Sequence, residues 1–255
     1  MKKAFLFVVA LAAIAEVSQG GVDVADILGD PGRSDKTVSH TGFVLGYCQN
    51  HRQARWVGYE LTREKVETVV ADRGENNFFQ DRDCFPGLVA TLDFQKLDCD
   101  RGHLASAADM HWNEEAMRES FYFSNISPQK KEFNRGIWLK LERLVRGFAC
   151  TEEAIVVVTG PVLPERENVK KGIGERVTVP EKFYKVVYAK NSRKMIGFLI
   201  PHNGKNADPK LYACSVDSVE KETGLDFFNQ LPVGEQEYME GSFDLSKWSW
   251  IPRDQ

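Results

Sequence analysis

The stretch Asp100-Arg101-Gly102-His103 puts a carboxylate, a guanidinium and an imidazole into four consecutive residues. Histidine, with an ordinary pKa of about 6.5, suits a base working near neutrality, and the planar fork of an arginine suits a phosphate. Gly102 lets the backbone turn tightly or approach a ligand. Downstream stand Asn125 and Asn134, whose amide carbonyls are neutral oxygen ligands that a hard cation accepts, and Glu142 follows Asn134 by eight residues. On a continuous helix that offset is about 12 Å, too long for both to enter one tight metal shell. Helical side chains lean toward the N-terminus, so Glu142 is expected to reach back and order a metal-bound water. Hydrolysis of a phosphodiester needs a base for the attacking water, positive charge against the phosphoryl oxygens and stabilisation of the departing alkoxide. The residues from Leu97 to Glu142 supply all three. Each piece alone also has a plain structural reading: Asp100 and Arg101 as a surface pair, Glu142 as the partner of Arg146 one helical turn on.

These groups need elements to carry them. Ile137, Leu141, Leu144, Val145 and Phe148 recur at helical spacing and predict one apolar stripe on a helix that begins near Asn134. Asn125 and Asn134 then flank a short loop containing Pro128 and Gln129. Phe43, Leu45 and Tyr47 alternate, as do the residues of Trp56-Val57-Gly58-Tyr59-Glu60-Leu61, which predicts two strands joined by the polar loop 49–54. Ala154 to Thr159, Phe183 to Tyr188 and Met195 to Ile200 read as further strands with no βαβ repeat among them, so the fold class is α+β with a largely antiparallel sheet. Asp217-Ser218-Val219-Glu220 resembles a capping box opening a short helix that stops at Gly224. Residues 63–96 are charged and aperiodic, a long surface excursion in which Arg73 is the notable side chain.

Composition sets the outer limits. The chain has 255 residues, 42% hydrophobic and 27% charged, an ordinary globular profile without repeats or linkers, and a single domain over 41–255 is expected. Lys2 and Lys3 precede an apolar run from Ala4 to Ala15, and Ser18-Gln19-Gly20 offers small residues for cleavage, so residues 1–20 read as a signal peptide and residues 21–40 as a flexible mature N-terminus. Removing 1–20 takes away two lysines and one glutamate, moving the formal charge from −4 to −5. Binding of a polyanion then requires a local basic patch on an acidic body. Export to an oxidising compartment allows up to two disulfides among Cys48, Cys84, Cys99, Cys150 and Cys214, with Cys150 and Cys214 a guessed pair. His40, His51, His111 and His202 lack supporting clusters, and Trp248 and Trp250 are expected to pack the tail onto the body.

Beside Asp100-Arg101-Gly102-His103 the sequence holds Met117-Arg118-Glu119-Ser120-Phe121-Tyr122, Ser124-Asn125-Ile126-Ser127-Pro128-Gln129, and Phe133-Asn134-Arg135-Gly136-Ile137-Trp138 with Leu141-Glu142. Thr159-Gly160-Pro161-Val162 and Thr223-Gly224-Leu225-Asp226-Phe227-Phe228 are weaker marks. In order and spacing this set resembles the DNA/RNA non-specific endonuclease family, the ββα-metal or His-Me finger nucleases that include mitochondrial endonuclease G and secreted bacterial enzymes. The resemblance runs from about Thr41 to Phe228.

It implies a ββα-metal fold with helices flanking the sheet, and hydrolysis of DNA and RNA with little sequence specificity. His103 would be the general base and Asn134 the direct protein ligand of Mg²⁺, Mn²⁺ or another divalent cation. Glu142 would hold a water of that ion, Asn125 would orient the histidine and substrate, and Arg101 and Arg73 would meet phosphate. The implied partners are DNA and RNA, with a homodimer left open and no membrane insertion once the signal is removed. The implied location is secreted, periplasmic or otherwise extracytoplasmic. Two alternatives remain: an inactive nucleic-acid-binding protein of the same fold, and a phosphodiesterase acting on another substrate.

Overall fold

Alternating side chains need two apolar layers, and this chain builds one on each face of a seven-stranded antiparallel sheet. The computed structural model describes residues 24–74, 77–84, 94, 97–164, 177–203 and 206–254; the expected signal segment lies outside them. A short helix α1 (Val24–Leu28) leads into strands β1 (Lys36–Ser39), β2 (Val44–Cys48) and β3 (Gln53–Thr62), followed by helix α2 (Arg63–Glu67). Within the stretch 21–40, read as a flexible mature N-terminus, the described residues include helix α1 and strand β1. Leu28 is buried against Gly58, and β1 forms the edge of the sheet through pairs such as Val38 with Leu45.

Strand β4 (Asp100–His103), helix α3 (Glu114–Ser120) and strand β5 (Ile126–Gln129) come next. β4 and β5 form a separate two-stranded antiparallel sheet in which His103 faces Ile126 and Asp100 faces Gln129. The span expected as a loop around Pro128 is thus a strand. Pro128, lacking an N–H, sits in a sheet with only one neighbouring strand, where that donor is not required. A single helical turn at Lys131–Phe133 and a kinked segment at Asn134–Trp138 precede helix α4 (Leu139–Glu152). Strands β6 (Ala154–Val162), β7 (Lys182–Ala189), β8 (Lys194–Pro201) and β9 (Ala213–Cys214) complete the large sheet, in the order β1-β2-β3-β6-β7-β8-β9. Helices α5 (Val216–Thr223) and α6 (Val233–Glu240) close the chain, with a C-terminal tail beyond.

The predicted stripe of α4 is buried along its length and packs with Tyr59, Val157, Phe183 and Val187 on one face of the sheet. Trp56, Val158, Tyr184 and Val186 alternate to the other face, where they meet Leu28, Val216, Val219 and Phe228. A fully buried side chain of this size contributes roughly 1.5–3 kcal/mol, so both layers are needed to hold the sheet rigid. Helix α5 does stop at Gly224, which takes the left-handed conformation at φ 66°. Its cap, however, is Ser215, whose side chain accepts from the Ser218 N–H, so the helix opens ahead of the expected box.

All five cysteines are free thiols. The guessed bridge between Cys150 and Cys214 is excluded by topology: Cys150 belongs to the core under α4, and Cys214 packs against the core on the opposite face of the sheet. His40 pairs with Asp81 at 3.0 Å, His51 bonds Thr178 Oγ1 at 2.9 Å, His111 bonds the Val66 carbonyl, and His202 takes the Lys130 N–H, so each is a structural residue. Trp248 and Trp250 pack on Phe148, fastening the tail to α4.

Candidate active site

A cleft of about 800 Å³ opens between the small sheet and the start of α4. Its lining includes Arg73, Arg101, His103, Asn134 and Glu142 together with Arg135, Arg143 and Arg146. Five arginines face three carboxylates there (Asp100, Glu142 and Asp254), a basic patch on a chain whose formal charge is −4.

His103 ends β4. Gly102 before it is required by packing: a Cβ there would stand 2.2 Å from Cδ of buried Gln129, which crosses the strand from β5. The imidazole is 9% exposed. Phe121 meets it edge-on at 4.9 Å between ring centres, and Phe78 lies 5.7 Å away. Nε2 is buried without a hydrogen-bond partner. Burial, with Arg73 and Arg101 adding like charge, pushes the His103 pKa down to about 3. The two arginines are themselves held against aromatic faces, Arg101 4.1 Å from the Phe78 ring centre and Arg73 5.7 Å from that of Phe121.

Asn125, expected to help orient the histidine and substrate, lies deep in the protein. It is fully buried, with Oδ1 accepting from the Ala105 N–H at 2.9 Å and Nδ2 donating to the carbonyls of Ala105 and Ser120. Its backbone carbonyl also accepts from the Leu104 N–H. These bonds tie Asn125 to Leu104 and Ala105, the residues immediately after His103.

Asn134 presents the opposite case. Nδ2 donates to Asp100 Oδ2 at 3.1 Å, which turns the carbonyl end of the amide away as the one available to a cation. Arg135 grips the same carboxylate with Nε at 2.8 Å and Nη2 at 2.9 Å. Asp100 therefore pairs with Arg135 and not with its sequence neighbour Arg101. Burial works to raise the Asp100 pKa, but the hydrogen bonds from Arg135 and Asn134 hold it below the usual carboxylate range.

Asn134 and Glu142 do not share one continuous helix. Gly136 has φ −106° and ψ −107°, outside helical geometry, and splits the segment into two helical pieces. The kink resets the direction that an eight-residue count would give, and both side chains line the same cleft. Burial pushes the Glu142 pKa up to about 7, opposed by Lys185 and Arg146. Arg146 is committed elsewhere, donating to Asp109 Oδ1 at 2.9 Å, while Tyr59 donates to Asp109 Oδ2 at 2.7 Å. The plain pairing of Glu142 with Arg146 is thus not what the structure contains.

Four residues have places at the site that the sequence reading did not assign. Asp100 links β4 to the Asn134 segment. Phe78 and Phe121 wall in the histidine. Lys185, fully buried on β7, holds Nζ 4.8 Å from the Trp138 ring centre with no hydrogen-bond partner, and burial pushes its pKa down to about 8. A lone lysine between Phe183-Tyr184 and Val186-Val187 was the available signal for it, since buried ammonium groups are rare without purpose.

Comparison with known proteins agrees across most of the chain. A family model described as DNA/RNA non-specific endonuclease matches residues 25–234. Nuclease C1 of Cunninghamella echinulata var. echinulata is 33% identical over 223 residues, covering 80% of this chain and 87% of that protein. The human mitochondrial nuclease EXOG is 32% identical over 225 residues, covering 82% of this chain and 61% of that one. Among solved structures, the EndoG/EndoGI complex contains a chain that matches with a TM-score of 0.73 at 32% identity, covering 83% of this chain and 94% of its own.

Proposed function

This chain belongs to the DNA/RNA non-specific endonuclease family and is a nucleic-acid hydrolase, and from that premise we propose how its own residues cut a phosphodiester. His103 takes the proton of the attacking water. Because Nε2 is sealed in the protein, Nδ1 is the nitrogen that does so. A base with a pKa near 3 is weak, and optimal bases titrate near the working pH. Burial is the larger cause of that depression and Arg73 and Arg101 the smaller; a bound phosphate would offset the arginine share, so substrate arrival raises the basicity of His103 in part. Arg73 and Arg101 hold the phosphoryl oxygens, with their guanidinium groups steadied over the rings of Phe121 and Phe78.

The family is metal-dependent, and the residues present fit a divalent cation. Asn134 offers a neutral carbonyl oxygen whose amide partner is already tied down, and Glu142 stands on the cleft wall within the same cavity. We assign Asn134 as the direct ligand and Glu142 as the holder of an ion-bound water, with Mg²⁺ the ion this oxygen set suits. Such an ion would supply Lewis-acid stabilisation of the phosphate and leaving oxygen. The observation that carries the reading is a neutral, sealed imidazole sharing one cleft with a cation-ready amide and with Arg73 and Arg101.

Both DNA and RNA fit a site that offers contacts to phosphate. The leader-like residues 1–20 support action outside the cytoplasm, although relatives such as human EXOG carry mitochondrial names. The deciding experiment is digestion of plasmid DNA and of RNA with Mg²⁺ or EDTA, using wild type and His103→Ala. Loss of the base is expected to cut the rate by about 10²- to 10⁴-fold on both substrates. Undiminished cleavage by the variant overturns the assignment. Fractionation with N-terminal sequencing of the product tests export.

A further inference from the structure

Far from the cleft, on the other face of the large sheet, α5 and α6 gather Asp217, Glu220 and Glu240 so that one ligand oxygen from each lies within 4.8 Å of the others. Asp217 and Glu220 stand one turn apart on α5, and Glu240 is the last residue of α6. Solvated carboxylates often cluster without consequence. Glu240 is not solvated: it is 3% exposed, and its Oε1 is buried with no hydrogen-bond partner. Gln236 bonds its side chain, and Glu220 Oε1 accepts from the Phe227 N–H at 2.7 Å; neither contact brings a positive charge.

The charged groups acting on Glu240 are Glu220, Asp226 and Asp217, all acidic. Its place at the carbonyl end of a helix adds a further unfavourable field. Leaving a carboxylate oxygen buried and unpaired in such a field is costly unless something neutralises it. Without a cation, burial and mutual repulsion push Glu240 up to about 9 and Glu220 up to about 7.

We propose that Asp217, Glu220 and Glu240 form a binding site for a calcium-class divalent cation, distinct from the catalytic cleft, that clamps α5 to α6. The set is oxygen-only, which favours hard cations over those that seek imidazole or thiolate. Calcium–oxygen bonds of about 2.3–2.6 Å place oxygens on opposite sides of the ion about 4.6–5.2 Å apart, and neighbouring ones closer. Oxygens within 4.8 Å of one another can share such an ion, and Mg²⁺, which demands near-ideal octahedral geometry and gives up its waters reluctantly, is held less readily by three protein carboxylates. Exposed Asp217 leaves one side open for the waters that complete the shell.

The test uses the full chain in an Asn134→Ala background, which removes the assigned ligand of the catalytic cation. Melting temperature is followed as Ca²⁺ is added to chelator-treated protein, with and without Glu240→Gln. At a tenfold excess of Ca²⁺ over its dissociation constant the background protein should gain about 3–6 °C, with Mg²⁺ giving less. Adding Glu240→Gln should abolish most of that gain while leaving the melting temperature in EDTA little changed, because without a cation Glu240 is already protonated at neutral pH and the amide replaces a neutral group of the same shape. Glu220→Gln should repeat the result. In otherwise wild-type protein Glu240→Gln should leave Mg²⁺-dependent cleavage unchanged. No Ca²⁺-dependent rise, or a rise that survives Glu240→Gln undiminished, overturns the proposal; so does a melting temperature that responds to pH alone, which would mean that protons occupy the cluster.

Discussion

His103 should make this protein acid-sensitive in a way that can be isolated from every other titrating group. The ring has an unfolded pKa of about 6.5 and a folded value near 3, set by burial and then by Arg73 and Arg101. The folded value is the lower, so the unfolded chain binds the proton more tightly. Stability contributed by the neutral ring is fully present above about pH 6.5 and is lost as pH falls toward 3. Each pH unit inside that window costs about 1.4 kcal/mol, and integrating from pH 7 to pH 4 gives about 3 kcal/mol. The perturbation is His103→Ala. Removing the ring costs a cavity term that does not vary with pH, so the stability difference between wild type and variant should close by about 3 kcal/mol over that range. Urea unfolding at pH 4, 5, 6 and 7 in EDTA measures it. A difference that stays flat within about 0.5 kcal/mol would refute the picture of a sealed, charge-repelled imidazole, and with it the argument that substrate raises its basicity.

Other consequences follow from neighbouring groups. Asn125→Ala removes three hydrogen bonds from a fully buried position and should destabilise the fold by about 2–4 kcal/mol, lowering kcat more than it raises KM, as chemical denaturation and steady-state kinetics would show. Asp109→Ala strands the buried guanidinium of Arg146 and should cost about 3–5 kcal/mol; a loss under 1 kcal/mol by calorimetry would contradict the pairing. Gly102→Ala forces a methyl into Gln129 and should reduce cleavage by displacing β4 against β5, with Gln129→Ala in the same chain restoring part of the rate. Asp100→Asn weakens the grip on Arg135 and Asn134 and should raise the Mg²⁺ concentration needed for half-maximal activity, a shift that a metal titration reads directly.

Periodicity made the large sheet and α4 legible, because alternation and a helical stripe are local consequences of burying one face. Leu141, Val145 and Phe148 were readable for that reason. The pairing of β4 with β5 was not: Arg101 meets Pro128 across 26 intervening residues, and a proline there argues locally for a loop. The kink at Gly136 was hidden too, so the reach of Glu142 was judged on a continuous helix that the chain does not form. Asn125 shows the same limit in another way. Its residue type suited a ligand-facing role, while its depth depends on what packs above it. The cysteines were read through compartment alone, and only topology separates Cys150 from Cys214 by the thickness of the sheet.

Asp100 bears on how often the site comes apart. It spans from β4 to Asn134 and Arg135, and the Arg135 side chain at its far end is 69% exposed. An ion pair that wet contributes at most about 1 kcal/mol, far less than the apolar layers that hold the large sheet. Local opening has its own free energy, separate from global unfolding. The contact between β4 and the Asn134 segment is therefore a weak surface latch, whereas Phe133, Ile137 and Trp138 anchor the segment itself in the core, so loss of the latch would let the Asn134 and Arg135 side chains shift while the backbone that carries them stays in place.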